Sequence, residues 1–110
     1  MKKIIYTLTA LLLVSCGTTK LLAPSQTDVD RGAKNNPDIT MVTLNEGKSI
    51  VETECTKCHG LKNPRKFSVE EWNSIVPKMA GKANKKAGTE VIDARKKDLI
   101  LQYVTTMAQK

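Results

Sequence analysis

The stretch Cys55-Thr56-Lys57-Cys58-His59 constrains the fold of this chain more than any other feature. Two thiols three positions apart, followed at once by a histidine, can bond covalently to the two vinyl groups of a haem and present an imidazole to its iron. The motif therefore predicts one haem c, attached through Cys55 and Cys58, with His59 as an axial iron ligand. A haem bound in this way becomes part of the protein core.

Paired cysteines also occur in zinc sites and in disulfides. A structural zinc site needs about four ligands, but the only other cysteine is Cys16 and the chain has a single histidine. A thioredoxin-like dithiol belongs in a βαβ setting, which this sequence does not offer, and it would give His59 no role. Haem attachment is favoured, and a redox or structural disulfide stays open as the alternative.

At this motif the chain resembles the cytochrome c family. Its 110 residues can hold one small domain, and its four aromatic residues are few for a core that must offset the entropy of folding. The resemblance implies an all-α fold, a small cytochrome c-like domain of three to four helices wrapped around the covalently bound haem. We assign this domain to residues 41–110.

The first sixteen residues predict export. Lys2 and Lys3 precede a short apolar run that ends at Cys16, as is typical of a secretory signal peptide. The last four residues of this stretch resemble the lipobox of bacterial lipoproteins, whose cysteine becomes lipid-modified. We predict a signal peptide over residues 1–15 and a membrane-anchored lipoprotein facing the periplasm or the cell exterior, with lipidation at Cys16. The alternative is an ordinary signal with an incidental cysteine.

Residues 16–40 are predicted to form a lipid-anchored flexible tether. They are rich in polar residues, contain Pro24 and Pro37, and show no sustained apolar period, so most of the stretch is expected to be disordered. Fully extended, such a segment would span up to about 80 Å. The alternative is that part of it packs on the domain, and we expect Met41 and Val42 to do so.

Three helices are predicted in the domain. Thr43 and Glu46 form a capping-box pattern for a helix that ends near Glu54. Ser68 and Glu71 form a second one, and Pro77 is expected to kink or end that helix, leaving residues 80–88 as a loop. A last helix begins near Asp93 and ends near Ala108, with an apolar stripe made of Leu99, Ile100, Tyr103, Val104 and Met107.

The resemblance to cytochromes c adds two expected contacts. In that family a small residue of the first helix crosses an aromatic residue of the last helix, which would bring Gly47 against Tyr103. A proline carbonyl in the loop after the haem motif supports the ligand histidine there, and Pro64 is the corresponding proline. Which residue supplies that carbonyl here cannot be read from the sequence.

The sixth iron ligand is predicted to be Met79. His59 is the only histidine, so two histidine ligands from one chain are excluded. Met41 precedes the first helix, and Met107 extends the apolar stripe of the last helix, where core packing explains it. Met79 follows a tryptophan-bearing helix, which resembles compact cytochromes c. A core role for Met79, ligation by Met41 and an open site are the alternatives.

The charge balance indicates an acidic partner. The chain has 18 Lys and Arg against 11 Asp and Glu, and we expect its basic residues to surround an exposed haem edge and to steer docking of acidic redox proteins. The alternative is an ordinary solvated surface, since exposed lysines are common. Nucleic acid is disfavoured, because aromatic residues are not interleaved with the basic ones. The residues concerned are Lys57, Lys62, Arg65, Lys66, Lys78, Lys82, Lys85 and Lys86.

With both axial positions filled, the expected function is electron transfer by a membrane-tethered monohaem cytochrome, an electron carrier rather than an enzyme. Two other functions stay open. An open sixth site would indicate a haem-based gas or ligand sensor. The same domain could also serve as the electron-entry subunit of a larger membrane or periplasmic oxidoreductase.

Overall fold

The computed structural model describes residues 21–55 and 63–109. These residues form four α-helices, α1 (Gln26–Ala33), α2 (Met41–Glu54), α3 (Val69–Ala87) and α4 (Ala94–Ala108), and one 3₁₀ turn (Pro64–Lys66), with no strand among them. The prediction of an all-α fold is confirmed. The signal peptide, Cys16, Cys58, His59, Lys57 and Lys62 lie outside the described residues.

Helix α1 lies in the stretch predicted to be a flexible tether, so the expectation of disorder is wrong for this part. Ser25 begins the helix with a capping box, in which its hydroxyl accepts from the amide of Asp28 and the Asp28 carboxylate accepts from the amide of Ser25. Val29 is buried, and α1 contacts α2 and α4. A polar composition concealed a short helix with one apolar contact face.

Helix α2 begins three residues earlier than predicted. Thr40, not Thr43, is the N-cap, and each threonine hydroxyl accepts a hydrogen bond from the amide of the other. Ile39 and Leu44 flank this cap and belong to one buried cluster, the arrangement of a hydrophobic staple. Met41 packs against the same cluster as predicted, but Val42 is 65% exposed, so the prediction for Val42 is wrong.

Gly47 marks the crossing of α2 and α4. A Cβ atom added at Gly47 would lie 2.1 Å from the carbonyl oxygen of Leu99 and 2.9 Å from Cβ of Tyr103. Only a residue without a side chain permits this approach. The predicted contact between Gly47 and Tyr103 is confirmed.

Helix α3 begins where the sequence predicts and ends later. The Ser68 and Glu71 capping box is present, but the helix continues through Pro77 to Ala87, so the predicted end at Pro77 and the predicted loop over residues 80–88 are wrong. Pro77 is exposed, and so is Asn73, whose carbonyl loses its helical donor because proline has no N–H. Water can bond to that carbonyl instead. Gly88 ends the helix in the left-handed conformation, with φ of 70°.

Helix α4 is the element on which the others pack. Asp93 caps it, since its side chain accepts from the amide of Lys96, and the helix contacts α1, α2, α3 and the 3₁₀ turn. All five members of the predicted apolar stripe are buried. The stripe and the start of this helix are confirmed.

Candidate functional site

An apolar cavity lies between α2, α3 and α4, next to Cys55, the first residue of the predicted haem motif. Its wall combines residues from every part of the fold except α1. The lining residues are Leu21, Val51, Cys55, Pro64, Trp72, Val76, Met79, Ala80, Ile92, Ile100 and Val104.

The chemistry of this wall fits a large apolar group that is held by sulfur. Nine of its eleven residues are aliphatic or aromatic, and the other two are the thiol of Cys55 and the thioether of Met79. The interior is narrow, with about 30 Å³ open to a water-sized sphere; about 550 Å³ is reached only when solvent at the mouth is included. The inner space would hold about two water molecules, so a haem would part these side chains.

Cys55 and Met79 are therefore brought to one cavity, although 24 positions separate them in the sequence. Cys55 follows the last turn of α2 and donates its amide to the carbonyl of Val51. Met79 lies in the interior of α3, between the buried Val76 and Ala80. Both side chains are half-buried, as groups at the edge of a cavity are. The positions of Cys58 and His59 relative to them are not described.

The other two methionines of residues 21–55 and 63–109 lie elsewhere. Met107 is 2% exposed within the core, and Met41 packs against the cluster of Val29, Ile39 and Leu44. Neither lines the cavity. Met79 is thus the only methionine of the described residues at this site, which agrees with its choice as the candidate ligand without testing the bond.

Pro64 and Trp72 form one edge of the cavity. The Trp72 indole N–H donates to the carbonyl oxygen of Pro64 at 2.7 Å, and both groups are buried. Phe67 packs its ring edge-on against Trp72, with centroids 5.1 Å apart. The sequence analysis expected a proline carbonyl to support a histidine. In the structure the Pro64 carbonyl accepts from Trp72, and its second lone pair can still accept another donor.

Sequence reasoning missed Asn84 and Ile92. The Asn84 side chain accepts from the amide of Ile92 at 2.8 Å and donates to the carbonyl of Ile92 at 3.0 Å. This pair of bonds holds the link between α3 and α4 against the cavity, where Ile92 is 1% exposed. The apolar pair Val91-Ile92, placed between polar residues, was the available signal.

Leu21 was missed as well, because it lies in the predicted tether. It is 8% exposed and lines the cavity. The carbonyl of the next residue, Leu22, accepts a hydrogen bond from the phenol of Tyr103 at 2.7 Å.

Burial raises the pKa of the Tyr103 phenol far above its usual value, and the carboxylates of Glu52 and Asp28 raise it further. The phenol therefore stays protonated as a donor.

The basic residues of the described part are exposed. Four lysines of α3 lie on its solvent side, at steps of four, three and one residues that keep them on the same side of a helix, and Arg65 and Lys66 extend from the 3₁₀ turn. Glu70 and Glu71 are the only acidic residues of α3. The four lysines, called the α3 lysine stripe below, are Lys78, Lys82, Lys85 and Lys86.

The described residues contain no group of three or more His, Cys, Asp or Glu side chains placed to hold a metal ion. None of their helices combines the length and the apolar character needed to cross a membrane. Comparison of the chain with protein-family profiles, curated proteins and solved structures found no match.

Proposed function

We propose that this protein is a membrane-tethered monohaem c-type cytochrome that transfers electrons outside the cytoplasm. The observation that carries the proposal is that Cys55, the first residue of the haem motif, and Met79, the candidate sixth ligand, line the same apolar cavity. Bound there, haem would supply a one-electron iron couple. The walls of the cavity would be its environment in the folded domain.

Each residue has a distinct role in this proposal. Cys55 and Cys58 would hold the haem covalently, and His59 and Met79 would provide the axial ligands. A thioether ligand favours ferrous iron and raises the reduction potential. The buried wall residues would keep water from the group, and the hydrogen bond between Trp72 and Pro64 would fix the edge of the site.

The α3 lysine stripe supports an acidic redox partner. Four exposed lysines on one side of one helix produce a local positive potential that can steer a negatively charged protein into contact. Steering of this kind weakens as salt screens the charges, with a Debye length of about 10 Å at 0.1 M. The rate of electron transfer to an acidic partner should therefore fall as ionic strength rises. An unchanged rate would contradict this role.

The ligand assignment can be tested with two methionine variants of the holoprotein. Met79→Leu should keep the haem attached, lower the midpoint potential and allow the ferrous form to bind carbon monoxide, because the sixth position opens. Met107→Leu is the matched control, since it replaces a core methionine of the same size away from the cavity. It should leave the potential and carbon monoxide binding unchanged.

The outcomes separate the alternatives. Ready binding of carbon monoxide by the unaltered protein would contradict Met79 ligation and favour a gas or ligand sensor. Absence of covalent haem after co-expression with a haem attachment system would contradict the whole proposal. Copurification with a larger oxidoreductase would favour an electron-entry subunit.

A further inference from the structure

Residues 21–33, called the N-terminal strap below, are fastened to α4 at both ends. At the start, Leu21 is buried in the main core cluster and the carbonyl of Leu22 accepts from the Tyr103 phenol at 2.7 Å. At the end, the Arg31 guanidinium donates to the carbonyl of Thr106 at 2.9 Å. The contacts join positions 75 to 81 residues apart in the sequence, so the strap is part of the tertiary fold.

The strap is also held together internally by a buried charge. The Asp28 side chain is 1% exposed and accepts from the amide of Ser25 at 2.8 Å, from its hydroxyl at 2.9 Å and from Arg31 at 2.8 Å. Hydrogen bonds to a carboxylate in a buried setting are stronger than neutral ones. A Cβ atom added at Gly32 would lie 2.8 Å from Oγ1 of Thr106. The strap therefore packs closely along the last turns of α4.

This packing shortens the reach of a lipid anchor at Cys16. The sequence analysis allowed a free tether of some two dozen residues, which could extend to about 80 Å. Five residue-to-residue steps separate Cys16 from Leu21, and a chain extends at most about 3.6 Å per residue. The anchor and the first packed residue are therefore never more than about 18 Å apart, whatever conformation the residues between them adopt.

We propose that the strap holds the domain against the lipid bilayer and restricts electron exchange to a redox partner that is itself bound to the membrane. The inference rests on the proposed function through the lipid at Cys16. Leu21 is both the first described residue after the anchor and a wall residue of the cavity, so that wall lies within the same short reach of the headgroups. Holding the domain at the bilayer is useful for electron transfer only if the redox partner is also at the membrane.

Leu22 provides the second observation in favour of the bilayer as the facing surface. Its carbonyl is fixed by Tyr103, while its side chain is 50% exposed, one of only two large hydrophobic side chains of the described residues that are exposed to this degree. An exposed leucine six positions from a lipid-bearing cysteine can enter the interfacial region of the bilayer, where apolar side chains are stabilised. The charged end of the strap, at Asp30 and Arg31, lies farther along the chain.

The test measures how close Leu22 lies to the headgroups. In lipidated holoprotein the three native cysteines are engaged by lipid and haem, so Leu22→Cys offers one thiol for a nitroxide label and keeps the backbone acceptor of Tyr103. The labelled protein is placed in phosphatidylcholine and phosphatidylglycerol vesicles whose headgroups carry a nickel chelate. Relaxation of the nitroxide by nickel reports their proximity.

A matched control inserts about thirty Gly and Ser residues between Lys20 and Leu21, which leaves the strap and the anchor intact. The insert alone has a root-mean-square length of about 30 Å, against a limit of about 18 Å for the unaltered chain. Relaxation by a plane of nickel ions falls steeply with distance, so it should drop roughly fivefold or more on insertion. The same comparison should show transfer to a membrane-bound partner slowed, and transfer to a soluble protein acceptor made faster, because the insert lifts the restriction.

Equal relaxation in the two proteins would overturn the inference while leaving the haem and the anchor in place. Mass spectrometry of the N-terminal peptide tests the anchor separately. An unmodified Cys16, with Cys16→Ser partitioning to membranes like the unaltered protein, would overturn the anchor and this inference together. The haem spectrum would be unaffected by that result, so the failure of the inference and the failure of the electron-transfer proposal are distinguishable.

Discussion

Gly47→Ala is expected to destabilise the protein, although alanine is the better helix former. In the interior of α2 the substitution would gain about 1 kcal/mol of helix propensity. The new Cβ atom would, however, lie 2.1 Å from the carbonyl oxygen of Leu99 and 2.9 Å from Cβ of Tyr103, where ordinary contacts begin at 3.4 Å. Helices α2 and α4 would have to move apart by about an ångström or more.

The expected loss of stability depends on which atom the new Cβ atom meets. Overpacking a core costs about 1–3 kcal/mol when side chains can readjust. The nearest atom here is a main-chain oxygen, which cannot rotate away, so the upper end of about 3 kcal/mol applies. After the gain in propensity, the free energy of unfolding should fall by about 2 kcal/mol. For a domain of this size that corresponds to a melting temperature lower by roughly 8–16 °C.

Urea denaturation at fixed temperature measures this loss, with Gly81→Ala as the control. Gly81 lies in the interior of α3, and a Cβ added there meets no atom within 4 Å. That variant should be more stable by about 0.5–1 kcal/mol through helix propensity alone. If Gly47→Ala raised the stability as much as Gly81→Ala, the close crossing of α2 and α4 would be refuted.

Three further predictions concern hydrogen bonds. Because burial raises the pKa of Tyr103, the folded state keeps a proton that the unfolded state releases above about pH 10, so the free energy of unfolding should fall by up to about 1.4 kcal/mol per pH unit above that point. Urea titrations at several pH values above about 10 should show that Tyr103→Phe removes this fall in the free energy of unfolding with pH. An unaltered dependence on pH would contradict the raised pKa of Tyr103. Trp72→Phe leaves the buried carbonyl of Pro64 without its donor and should cost about 1–3 kcal/mol, whereas no change in the urea midpoint would argue against the bond. Asn84→Ala should cost a similar amount and speed amide exchange at Ile92, and unchanged exchange there would count against it.

The helix starts that could be predicted are those with a local capping signal. Asp93 and Ser68 are polar caps followed by apolar residues at helical spacing, and both helices begin there. A close contact at Gly47 could be anticipated because glycine is costly in mid-helix unless a close approach requires it, and Tyr103 was expected as its partner from the resemblance to cytochromes c. At the cavity, Met79 could be selected by elimination and by its place on the Trp72 face. The capping signals depend on neighbours within about four residues.

The errors arose where distant contacts decide the structure. Residues 26–33 are too few to be helical by propensity alone, and α1 is held by contacts such as Arg31 with the carbonyl of Thr106, 75 positions away. Pro77 indicated a break, yet it is exposed, and Val76 and Ala80 on either side of it are buried. Packing of those neighbours offsets the lost backbone bond. Neither the contacts that hold α1 nor the packing around Pro77 can be read from about ten consecutive residues of the sequence.

Tyr103 links the crossing of α2 and α4, the N-terminal strap and the cavity. Its Cβ faces Gly47 at the crossing, and its phenol holds the carbonyl of Leu22. One residue beyond it, Val104 lines the cavity. Closely packed helices do not deform smoothly, so a displacement of α4 at the crossing must be taken up at the strap or at the cavity wall. If the strap yields, the Leu22 label should move in Gly47→Ala while the cavity is unchanged; if the wall yields, the environment of Met79 should change instead. Which of the two yields depends on whether the Leu22 hydrogen bond or the packing around Val104 is the weaker restraint on α4.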